Sequence, residues 1–186
     1  MKTLLVTIVI IVLLVAGTLG YIFSGAYDIA ATSRDPRLVY WILNRTMEHS
    51  VQARARNITV PPEFNTIKTD RALPAFHEMC RVCHGAPGIK PEEIGLGLNP
   101  NPPDLQQAAG SLSPGALFWI IRNGIKMTGM PAFGPTHPTG MLWEIVAFVH
   151  QLPAMSSSEY KKKLKAVYRG KREKDHMHQE SSAHVG

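Results

Sequence analysis

Cys80-Arg81-Val82-Cys83-His84 decides the reading of this chain. On a helix, positions i, i+3 and i+4 share a face. Both thiols and the imidazole of His84 therefore project to one side. C-x-x-C-H is the pattern of covalent haem attachment, in which the two thiols hold the porphyrin and the adjacent imidazole turns onto the iron. Three other readings compete. A redox disulfide of this spacing belongs in a βαβ context, and no strand pattern flanks it. Zinc needs four closed ligands; His77 and His84 are at hand, but the chain has only 2 cysteines, so no second pair exists. Chance spacing is the third.

Outward from the motif, Leu73 to His84 reads as a short helix with Pro74 in its first turn. A loop rich in Pro, Gly and Asn runs from Gly85 to Gly110. Ser113-Pro114 starts a second helix through Ala116, Leu117, Ile120 and Ile121, and Gly124 ends it. A loop from Ile125 to Gly140 follows, then a last helix, Met141 to Leu152, with apolar positions at 142, 145, 146 and 149. No strand pattern appears, so residues 70–155 are expected to form an all-α domain. Haem iron at His84 needs a sixth ligand. The loop offers Met127 and Met130. A methionine is usually core filler, but these two flank a glycine outside any helix stripe. Met130 is the better placed, because Pro131 stiffens one side and Gly129 relieves crowding on the other.

Toward the N-terminus, Leu4 to Phe23 is uncharged and apolar. About 20 such residues cross a bilayer core, whereas a signal-peptide core is shorter. Residues 1–26 are read as an uncleaved anchor, with Ser24-Gly25-Ala26 as the cleavage site of the signal-peptide alternative. Residues 27–69 form a connector carrying an amphipathic helix that opens at Leu38-Val39-Tyr40-Trp41-Ile42-Leu43. It lies on the lipid surface or docks a membrane partner subunit; the sequence leaves both open. Residues 156–186 are a basic, His-bearing tail, expected to be mobile or only locally helical. Its run Lys161 to Lys174 is a solvated face, or meets anionic lipid or an acidic partner. Its His176, Met177, His178 and His184 are a loose candidate for copper or another soft-to-borderline metal, set against a mobile polar tail. The formal charge is +6, but the basic run has no aromatic interleaving, and nucleic acid is excluded as a partner.

With Cys80-Arg81-Val82-Cys83-His84-Gly85, Pro102-Pro103-Asp104-Leu105, Gly129-Met130-Pro131-Ala132-Phe133 and the terminal helix Leu142 to Val149 in this order, the chain resembles class I cytochrome c, the small all-helical monohaem family. The resemblance covers residues 70–153, under half of the chain. It implies a cytochrome c-like helical domain around one covalent haem c, preceded by a single N-terminal transmembrane helix. Cys80 and Cys83 would form the thioethers, and His84 and Met130 would be the axial iron ligands. The Pro103 carbonyl would accept a hydrogen bond from the proximal imidazole. Leu105 would pack on the haem. The first and last helices would cross, with Phe76 and either Trp143 or Val146 near the contact. The family also implies haem attachment on the outer face of a bacterial inner membrane, hence a periplasmic domain. The implied role is electron transfer rather than catalysis, with no small-molecule substrate: a membrane-tethered carrier in a respiratory or photosynthetic chain, or a cytochrome subunit of an oxidase or quinol-oxidising complex. The competing class is a haem enzyme or gas sensor with a labile sixth ligand.

Overall fold

The computed structural model describes residues 1–183, with side chains through Gly170. It divides into two units at Asp35 and Pro36. The first unit is built on helix α1, Lys2–Phe23, with no buried residue. It is long and apolar enough to cross a membrane. Two of its hydroxyls are satisfied within the helix: Thr7 donates to the Thr3 carbonyl at 3.0 Å and Thr18 to the Leu14 carbonyl at 2.8 Å. In an apolar solvent such internal bonding removes the cost of a bare hydroxyl.

The second unit is helical. Its elements are α2 Arg37–Ala55, α3 Ala72–Ala75, a π turn Phe76–Cys80, α4 Arg81–His84, α5 Glu93–Leu96, α6 Leu105–Ala108, α7 Pro114–Asn123, α8 Thr139–Gln151 and α9 Ser157–Ala183. Among the described residues there is no β-strand, only an isolated bridge between Ala86 and Ile89. Capping explains where α7 begins: the Ser113 side chain accepts from the Ala116 amide at 3.2 Å, and Pro114 fits the first turn.

Helix α8 is the centre of the core, with Leu142, Trp143 and every residue from Ile145 to Val149 buried. Phe76 meets it at Phe148, with ring centroids 5.1 Å apart. Trp143 instead stacks on Phe118 of α7 at 4.2 Å and takes Phe64 edge-on at 6.0 Å. The aromatic partner of Phe76 in the last core helix is thus Phe148 rather than Trp143, and Val146 lies buried in the same core cluster. Arg71 and Glu144 join the same two segments by an ion pair.

Part of the segment read as a connector belongs to this core. Val51 of α2 is buried, and Phe64 and Ile67 pack with the core residues. The Arg54 guanidinium lies 5.7 Å from the centroid of the Trp119 ring on α7.

The expectation of a mobile or locally helical tail is corrected: residues 157–183 are one helix. Its first turns are held by packing. Tyr160 is fully buried beside Phe76 and Phe148, and Leu164 and Val167 follow it against the core. The Tyr160 hydroxyl and His77 Nδ1 share a hydrogen bond of 2.8 Å, and the Tyr168 hydroxyl donates to Glu78 at 3.0 Å. Burial pushes the Tyr160 phenol up to about 12, so it stays neutral. The apolar spacing 160, 164, 167 and 168 is a helix stripe, masked in the sequence by the lysines around it. The metal-binding candidates His176, Met177, His178 and His184 lie outside the residues with described side chains.

Tyr160→Ala is expected to destabilise the unit by about 3–5 kcal/mol, the cost of deleting a buried aromatic ring. Tyr160→Phe should lose only about 1 kcal/mol, that of a single hydrogen bond. Urea unfolding followed by circular dichroism measures both. Equal, small costs would mean that α9 is not part of the core.

Candidate functional site

The site is built where α3, the π turn and α4 run together. Ala72, Leu73 and Phe76 bury one face. The π turn then adds a residue to the α period just before the motif. Such insertions re-phase a helix and recur at functional positions. Here the turn sets the phase of Cys80, Cys83 and His84 against the core face, and all three are half-buried. Nothing in the local sequence marks it.

His84 Nδ1 lies 2.8 Å from the Pro103 carbonyl oxygen. A carbonyl can only accept, so the proton sits on Nδ1. Burial pushes the imidazole below its ordinary value, with the Pro103 bond acting in the opposite sense. A neutral ring protonated at Nδ1 presents its Nε2 lone pair as a ligand. Asp104, next in the chain, caps α6 by accepting from the Gln106 amide at 2.9 Å. This places Leu105 as the first residue of α6, half-buried and packed against the core.

Both cysteines are free thiols. Burial pushes Cys80 up to about 12, the opposite of the lowered value that makes a thiolate reactive. Among the described residues no group of three His, Cys, Asp or Glu side chains is arranged to hold a metal ion. Neither redox exchange nor zinc therefore finds support in the geometry.

Two neighbours of the motif were invisible to the sequence reading. The Glu92 amide donates to the Val82 carbonyl at 2.9 Å, and its carboxylate pairs with Arg81 at 2.7 Å. Gly95 lies so close over the motif that a Cβ there would come 2.7 Å from Cys83 Cα and 2.8 Å from the Val82 oxygen. Only glycine permits that approach of α5. The contact joins segments a dozen residues apart, and no local pattern announces it.

The two methionines part company. Met127 is 93% exposed, with φ +62°. Met130 is half-buried and packs against the same core as Cys80 and Leu105. Its backbone is tied down: its amide donates to Thr128 Oγ1 at 3.1 Å, and its carbonyl accepts from the Ile125 amide at 3.3 Å. The loop is joined to α7 where the Phe133 amide donates to the Ile121 carbonyl at 3.1 Å. At Gly129 a Cβ would meet Leu98 Cδ2 at 2.5 Å, so this glycine admits the Leu98 side chain beside the loop.

Residues 68–149 match the family described as cytochrome c oxidase, cbb3-type, subunit III. Neither a curated protein nor a solved structure matches the chain. The match indicates a c-type cytochrome domain over that segment and supports a haem electron-transfer role for it. The family implies covalently bound haem c, and the residues present fit that group. Two adjacent free thiols, an imidazole with its Nδ1 proton already engaged and a half-buried thioether make a donor set suited to it. Apolar side chains stand nearby in sequence and fold: Leu105 on α6, and Ile94 and Leu96 on α5, which lies over the motif.

Proposed function

We propose that this c-type cytochrome domain passes single electrons while tethered to a membrane by α1, as a carrier or as the cytochrome subunit of a respiratory or photosynthetic complex, and not as an enzyme. Bound haem iron would supply the reversible one-electron change. The chain's own residues do the rest. Cys80 and Cys83 would hold one haem c by two thioethers. His84 offers Nε2, and Pro103 keeps the proton at Nδ1 and the ring in one orientation. Met130 offers its sulfur from a loop pinned at Thr128 and Ile125. Leu105 would pack on the porphyrin.

The observation that carries this reading is a His84 ring fixed by the Pro103 carbonyl, in a domain that also holds Met130 half-buried in an anchored loop. With both of these residues as ligands, bound haem iron would keep no open position for a substrate or gas, which separates a carrier from a haem enzyme or sensor. The family match, to an oxidase subunit, supports a membrane complex as partner, with a terminal oxidase or a quinol-oxidising complex as the candidates. Bacterial attachment of c-type haem outside the cytoplasm supports an inner-membrane location with the domain on the periplasmic side. Tethering raises the local concentration beside such a partner.

The test is purification from native membranes with a reduced-minus-oxidised spectrum. The expected result is a c-type spectrum with the red-edge band of methionine ligation, no carbon monoxide binding by the reduced protein, and a co-purifying oxidase or quinol-oxidising complex. Ready carbon monoxide binding would replace the carrier by a sensor or enzyme.

A further inference from the structure

Helix α2 has two unlike halves. Asn44, Met47, Glu48, Val51 and Ala55 lie on one helix face and are buried or half-buried. Val51, Arg54 and Ala55 fall where α2 packs on α7: a Cβ on Gly115 would come 3.2 Å from the Ala55 carbonyl oxygen. The opening turns are different. Leu38 is 67% exposed, Tyr40 54%, Trp41 57%, Ile42 47% and Leu43 57%. At about 100° per residue these five side chains are spread round the whole circumference of the helix.

That distribution says what covers them. A protein groove covers one face of an amphipathic helix and leaves the other to water. A helix apolar on every side calls for a surrounding apolar medium. Tyr40 and Trp41 are the residue types that favour the membrane–water boundary. Arg37 and Arg45 bracket the stretch, and long basic side chains reach from such a boundary to the headgroups. Residues 24–36 alone join α1 to α2, a tether of about 50 Å at full stretch, so α2 stays near any bilayer that α1 crosses. The family match begins only at residue 68, so this helix is an addition to the c-type domain.

We propose that residues 37–43 insert into the interfacial layer of the membrane, while the C-terminal turns of α2 grip α7. Helix α2 is then a second, monotopic anchor that holds the electron-transfer domain at the lipid surface. The proposal rests on the tethered reading above.

The test uses the full-length haem protein in phosphatidylcholine/phosphatidylglycerol nanodiscs, with and without acyl-chain bromine. Trp41→Phe keeps an apolar residue at an exposed position, so the difference in emission between the two proteins isolates Trp41 from Trp119 and Trp143. Brominated lipid is expected to lower that emission at least about twofold, as for a side chain at the acyl boundary, with little quenching by aqueous acrylamide. Strong acrylamide quenching without lipid quenching would show residues 37–43 in water and overturn the proposal. Protection from both quenchers would show a protein cover, and would overturn it too. Alkaline washing of native membranes runs alongside. A chain retained in the pellet but unquenched by lipid loses only this inference. A chain released by the wash loses the tethered reading, and this inference with it.

Discussion

A Cys80→Ser, Cys83→Ser chain is expected to carry no porphyrin and to lose most of its stability. The protein has 2 cysteines, so no other side chain can form a thioether. Both are half-buried in the helix that α5 overlies through Gly95, and a serine hydroxyl cannot take over the bond. A group bound by the folded state alone stabilises it by mass action, and covalent attachment makes that stabilisation independent of concentration. Its loss should therefore exceed the ~4–5 kcal/mol that marks an exceptional substitution. Two measurements check this: intact mass of the natively expressed protein, and urea unfolding of the double variant beside the parent. A double variant that keeps the parent's covalent mass increment and unfolding midpoint would end the haem c reading. Single variants should fall between, because one thioether still holds the group.

Met130→Ala should change the chemistry more than the fold, and Met127→Ala should change neither. Met127 is 93% exposed, so its sulfur has no packed position from which to act. Met130 is half-buried, with amide and carbonyl both engaged in its loop. A thioether opposite histidine raises haem potential. Its removal should lower the potential on the order of 0.2 V, a fraction of the roughly 0.8 V that axial ligands command. At 59 mV per tenfold for one electron, that is over three decades in the equilibrium with a partner. The red-edge absorption band should vanish, and the reduced variant should bind carbon monoxide. Potentiometry and a carbon monoxide difference spectrum on both variants give the answer. If Met127→Ala produces these changes and Met130→Ala does not, the ligand is misassigned. If neither does, the sixth position belongs to another group.

Much of this protein is written locally. The C-x-x-C-H spacing is chemistry on its own, since two thiols and an imidazole on one helix face suit a porphyrin wherever that helix lies. The uncharged run of α1 and the helix periods of α7 and α8 are also local, because they follow from side chains a turn apart. The terminal stripe at 160, 164, 167 and 168 was equally local, but surrounding lysines hid it and only packing on Phe76 and Phe148 brought it out.

What the sequence determined alone was the helical class, the motif and the candidate span. Each depends on neighbours within a few residues. The tertiary structure decided which of two loop methionines is half-buried and which exposed, that Phe148 rather than Trp143 meets Phe76, that Gly95 admits α5 over the motif, and that α2 is half core and half exposed. Each of these depends on segments far apart in the chain arriving at one place, and close packing, which no local period encodes, selects among them.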